Sequence, residues 1–139
     1  MKITICSSSS FFQRIKDIKE GLEKTGHEVL LPSMQEFPRQ EDVWAKIQYD
    51  LIKDHFRKID QSHAIYIANF DKNGIEGYIG GNSFLEMGKA FDKGIPIFLL
   101  NDIPQQNYTD EIIAMKPVVV GSDWAKLNKY LIEFYKSNN

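Results

Sequence analysis

The chain has 139 residues, 42% of them hydrophobic and 26% charged, with a formal net charge of −2 at pH 7. That describes one globular domain, 1–139, able to bury a core without disulfides or metal and too evenly charged for a broad nucleic-acid-binding surface. Its one cysteine, Cys6, excludes an internal disulfide, and no apolar run reaches the length of a membrane span, so a cytoplasmic protein with no membrane partner is expected.

Strand and helix signals alternate from the start. Residues 3–6 are an apolar run that reads as a buried strand, and four serines follow it, Ser7, Ser8, Ser9 and Ser10. Residues 11–24 carry Phe12, Ile15, Ile18 and Leu22 at spacings of three and four, a helical period closed by Gly26. A second strand is expected over 29–31. A long helix over 42–59 places Trp44, Ile47, Leu51, Ile52 and Phe56 on one stripe. Residues 64–68 read as the third strand, 83–92 as a helix stopped by Gly94, and 95–100 as the fourth strand. A short helical segment over 110–115, a weaker strand over 118–120 and a closing helix over 123–135 complete the chain.

Strands that are apolar throughout and alternate with helices predict a parallel sheet covered on both faces. Right-handed crossovers then give an α/β three-layer sandwich, a doubly wound five-stranded sheet of Rossmann or flavodoxin-like type in the order 2-1-3-4-5. Ligands of such sheets bind at the carboxyl ends of the strands, where the order reverses, here between strands 1 and 3. The loops expected there are the serine run and the long connection from Asn69 to Gly81.

Glu86 stands out in that region, three residues after Ser83 and behind the small-residue stretch Gly80, Gly81, Asn82. Two readings stay open. Ser83 and Glu86 match a helix capping box, in which the glutamate merely reaches back to the chain. Alternatively, free backbone N–H groups at a helix start favour an anionic ligand or an ionised carboxylate with chemical work to do. The serine loop divides the same way, between a helix cap and a phosphate or sugar site. It is neither a P-loop nor a dinucleotide fingerprint, since it holds no glycine. Asp71 and Glu76 are the acids of the long loop, either solvated or able to protonate a leaving group. His27, His55 and His63 are scattered without ligand spacing, and Cys6 reads as packed in a strand, so no metal and no cofactor are expected. Phe11, Phe12, Trp44 and Tyr78 read as core, with one or two left to wall a pocket.

In order and spacing the chain resembles the nucleoside 2-deoxyribosyltransferase-like superfamily. The specific piece is GGNSFLEMGKAFDKGIPIFLL, in which Glu86, Gly88 and Ala90 fill an E-x-G-x-A pattern ahead of a Gly-x-Pro strand opening. The resemblance implies an enzyme that hydrolyses the N-glycosidic bond of a nucleoside or nucleoside 5′-monophosphate, or that transfers the base. Glu86 is then the nucleophile and Asp71 a candidate acid, because Gly80 stands where the transferases usually carry one. Ser7, Ser8, Ser9, Gly80, Gly81, Asn82 and Ser83 become the candidate substrate-binding residues. The serine loop is nearer to the monophosphate hydrolases, which favours hydrolysis. The partner implied is a small nucleoside or nucleotide, with no nucleic-acid polymer, and the protein is expected to be a homo-oligomer. The rival reading is a non-catalytic nucleotide-binding module on the same fold, and a flavin carrier shares the topology.

Overall fold

The computed structural model describes residues 1–7, 9–32 and 41–138. Strands β1 (Lys2–Cys6), β2 (Glu28–Leu30), β3 (Ala64–Ile67), β4 (Ile97–Leu99) and β5 (Val118–Val119) form one parallel sheet in the order β2-β1-β3-β4-β5. Helices α1 (Lys16–Lys24), α2 (Glu41–Asp60), α3 (Gly81–Lys93), α4 (Thr109–Ala114) and α5 (Trp124–Ser137) make the crossovers and the closing segment. This is the doubly wound sheet that the alternating apolar runs predict, with boundaries moved by at most two residues except at the start of α1.

Alternation along the strands sorts the core into two halves. Ile3, Ile5, Ala64, Tyr66 and Phe98 meet Ile15, Ile18 and Leu22 of the first helical segment and Leu127 and Leu131 of α5. Cys6, Ile65, Ile67, Ile97 and Leu99 face the other way, under Ile59 of α2, Met87 and Ala90 of α3 and Ile112 of α4. Each fully buried aliphatic side chain contributes about 1.5–3 kcal/mol through water exclusion, so both layers are held mainly by this contact. Among the described residues no helix is long and apolar enough to cross a membrane.

One segment departs from its expected form. The helix expected over 11–24 begins as a 3-10 helix, Ser9–Ile15, before α1 takes over. Side chains three apart eclipse in a 3-10 helix, and here the pair is Phe11 and Arg14. Both land on Phe70, just past β3: the two rings lie 5.0 Å apart, and the Arg14 guanidinium sits 3.9 Å from the Phe70 centroid. The tighter winding thus ties the segment after β1 to the end of β3, where the sheet order reverses.

Candidate active site

Three elements converge below the carboxyl end of β1. Strand parity turns Cys6, the last residue of β1, towards the layer that holds α2 and α3, where it is fully buried. His55 and Ile59 lie one helical turn apart on α2, so they share its inward face, and both are buried. Glu86 comes from α3, is 9% exposed, and places Oε2 2.6 Å from His55 Nδ1. Cys6, His55 and Glu86 each bring a polar atom within 4.8 Å of the other two.

The electrostatics follow from that packing. Burial first, then the charge of Glu86 and a hydrogen bond to it, push the Cys6 thiol well above its ordinary range. The S–H therefore stays protonated and donates to the carboxylate. The imidazole is close to Oε2 but out of line for a hydrogen bond, so that oxygen keeps an unfilled acceptor direction. His55 Nε2, also buried, has no hydrogen-bond partner among the described residues. A carboxylate so placed has a fixed position, an imidazole and a thiol for neighbours and little water, which suits a nucleophile or a base.

The capping-box reading of Ser83 and Glu86 is not what forms. α3 starts at Gly81, two residues earlier than expected, with Gly80 as its cap in extended conformation (φ −76°, ψ 171°) and no side-chain cap bond. Glu86 therefore lies on the second turn, not the first. The field of a helix N-terminus falls off within one turn, so His55, rather than the helix end, is the group beside the carboxylate.

The other residues singled out in the sequence lie at varied depths. Gly81 and Asn82 are exposed at the start of α3 while Ser83 is buried. Ser7 is half-buried, its Oγ 3.5 Å from the Ala68 carbonyl oxygen. Ser8 lies outside the described residues, as do the side chains of Ser9, Phe12 and Trp44. Asp71 is exposed and turns inward on its own loop, where Oδ1 accepts the Gly77 N–H at 2.8 Å. It lines a surface pocket of ≈ 460 Å³ together with Glu76, Asn101 and Asp102, and Glu86 is not part of that lining.

The loop between them is tightly bound. Asn69, 2% exposed, donates to the Gly77 and Asn101 carbonyls at 3.1 and 3.0 Å and accepts the Asn101 N–H at 2.9 Å. Asn101 answers by donating to the Asn69 carbonyl. Further along, the Gln106 amide accepts the Ile79 N–H at 3.0 Å and donates to the Ile79 carbonyl at 2.9 Å, and the Tyr108 hydroxyl donates to that carbonyl as well. The loop leading into α3 is thus fastened to the loop after β4. His55, Cys6 and Asn69 are the site residues that sequence reasoning passed over. Asn69 carried a signal, a polar residue directly behind the apolar run of β3. His55 carried none, since its partner lies on another helix.

Two solved structures share the architecture. The 2-deoxyribosyltransferase of Bacillus psychrosaccharolyticus aligns over 71% of this chain and 71% of its own, with a TM-score of 0.50 and 18% identity. The CMP N-glycosidase BcmB of Clostridium botulinum aligns over 86% of each chain, with a TM-score of 0.53 and 17% identity. At such identities the likeness is one of fold. No protein-family model matches the chain, and no curated protein matches it in sequence.

Proposed function

We propose, starting from a fold shared with a 2-deoxyribosyltransferase and a CMP N-glycosidase, that this protein is an enzyme cleaving the N-glycosidic bond of a nucleoside or nucleoside 5′-monophosphate. The observation that carries the reading is Glu86: a nearly buried carboxylate at the point where the sheet order reverses, set against His55 and doing no capping work for its own helix. In this proposal a Glu86 oxygen attacks the anomeric carbon as the bond to the base breaks. The base leaves with the bonding electrons and takes up a proton. Water then attacks the glycosyl ester, freeing the sugar and restoring the carboxylate, as in retaining glycosidases. His55 and the Cys6 thiol hold the carboxylate in place and answer its charge.

Hydrolysis is favoured over base transfer because the serine run that follows β1 in the sequence, Ser7, Ser8 and Ser9, and the small-residue stretch Gly80, Gly81, Asn82 and Ser83 are residue types that suit a phosphate or sugar. Asp71 is the proposed leaving-group acid, a role that requires its loop to release the Gly77 N–H. The proposal takes the protein as a homo-oligomer, with Leu85 and Phe91 of α3, each 50% exposed, as the apolar surface available for it.

The deciding experiment measures free-base release from a panel of nucleosides and 5′-monophosphates, with wild type beside Glu86→Gln. Release by wild type that falls by about 1,000-fold or more in the variant supports the nucleophile role. Undiminished release in Glu86→Gln overturns it. Trapping by an added second base separates transfer from hydrolysis. If no substrate is cleaved while a nucleotide raises the melting temperature, the protein is a binding module instead.

A further inference from the structure

We propose that Cys6, His55 and Glu86 form a binding site for a divalent transition-metal ion of the zinc type. The three side chains supply a sulfur, an imidazole nitrogen and a carboxylate oxygen, the donor set that zinc takes in proteins, from three elements anchored in the same core layer. Bonds of about 2.0–2.3 Å around a tetrahedral ion place its donors roughly 3.3–3.6 Å apart. The three donor atoms already lie within 4.8 Å of one another. The 2.6 Å contact between His55 and Glu86 has to widen by about 1 Å, and the distances to the sulfur, at most 4.8 Å, have to close by a similar amount at the most.

Two independent features point the same way. Glu86 Oε2 is buried without a hydrogen-bond partner among the described residues, and an unfilled buried acceptor on a carboxylate calls for a bound species. The charge also balances: a thiolate and a carboxylate neutralise the ion, so the loaded site carries no net charge into a buried position. Loading releases the thiol proton to solvent as the metal–sulfur bond forms. Hard cations are excluded by chemistry, since magnesium and calcium ask for six or more oxygen ligands. Three protein ligands leave the fourth position open to water. One consequence rests on the function proposed above: a metal-bound Glu86 has no free oxygen pair aimed at substrate, so the loaded enzyme is silent and a chelator revives it.

The test reads binding, not activity, so it stands whether or not a substrate is found. Metal-free protein is titrated with Co2+ and with Zn2+, followed by absorbance and calorimetry, for wild type, Cys6→Ser, His55→Gln and Glu86→Gln. Because the chain has a single cysteine, any thiolate-to-cobalt charge-transfer band reports this site alone. The expected result is one ion per chain, the thiolate band in wild type, its loss in Cys6→Ser, and affinity at least about tenfold weaker in His55→Gln and Glu86→Gln. Circular dichroism checks that each variant folds, and the two glutamine variants decide the matter if the cysteine variant does not. Absence of saturable binding, binding without the thiolate band, or affinity unchanged in both glutamine variants overturns the proposal.

Discussion

Glu86 and His55 meet across two helices, and neither side chain has much water to fall back on. A carboxylate that is 9% exposed keeps its charge only where a neighbour answers it, and removing one member of a buried pair leaves the other uncompensated. In urea unfolding, the single variants His55→Ala and Glu86→Ala and their double are expected to show a coupling of about 1–3 kcal/mol. Additive effects would mean that the contact holds nothing. Gly77 is the second telling residue. Its φ is +65°, and a Cβ there would sit 2.7 Å from the Asp102 carbonyl oxygen. Gly77→Ala therefore meets both a left-handed backbone penalty of about 1–2 kcal/mol and a backbone clash, and should lower the melting temperature by several degrees. A melting temperature equal to wild type would show that the loop shifts freely. At this scale the sequence was half legible. Glu86 lies in a compact local pattern of small residues, while His55 and Cys6 become its neighbours only through tertiary packing.

Among the elements, α1 and α5 meet at Gly21, a glycine whose backbone is ordinary. A Cβ on Gly21 would lie 2.2 Å from Trp124 Nε1, with two further ring atoms within 3 Å, and that ring packs in turn on Tyr66. Alanine raises helix propensity by about 1 kcal/mol, whereas overpacking a well-filled contact costs typically 1–3 kcal/mol. Gly21→Ala should therefore destabilise the protein and shift Trp124 fluorescence towards that of a solvated ring. A stability gain with unchanged fluorescence would show that the indole swings aside at no cost. Helix and strand identities were legible because each run is either apolar throughout or periodic. The start of α3 was not: Ser83 with Glu86 is a stronger local cap signal than Gly80, yet the helix begins earlier because the preceding loop is already pinned at Ile79.

For the molecule as a whole, the two faces of the sheet each bury an acid that resists ionisation. Burial raises the Cys6 thiol on the α2–α3 side, and burial likewise raises the Tyr66 phenol on the α1–α5 side, where its hydroxyl donates to the Gly121 carbonyl at 2.7 Å. Both groups keep in the folded state a proton that the unfolded chain gives up above their ordinary values of 9.0 and 10.0. Above those values the unfolded state binds fewer protons, so stability is fully present below pH 9 and declines as pH climbs further. Urea midpoints measured across the alkaline range should fall in wild type, and fall less steeply in Tyr66→Phe and in Cys6→Ala. Parallel curves for all three proteins would sink the idea. Sheet order was legible at this scale because five apolar runs joined by helices leave few right-handed arrangements.

Gln106 imitates a neighbouring strand: it offers Ile79 a donor and an acceptor at once, as backbone would. The loop after β3 and the loop after β4 consequently behave as one cassette, although helix α3 separates them in the chain. A chimera that borrows residues 69–81 from a related scaffold but keeps its own 101–108 would set a foreign loop backbone against Gln106, lose the paired contact and let the start of α3 drift, carrying Glu86 with it. Exchange of both segments together preserves the fit, so the pair is the natural unit for transplanting or recombining this crevice.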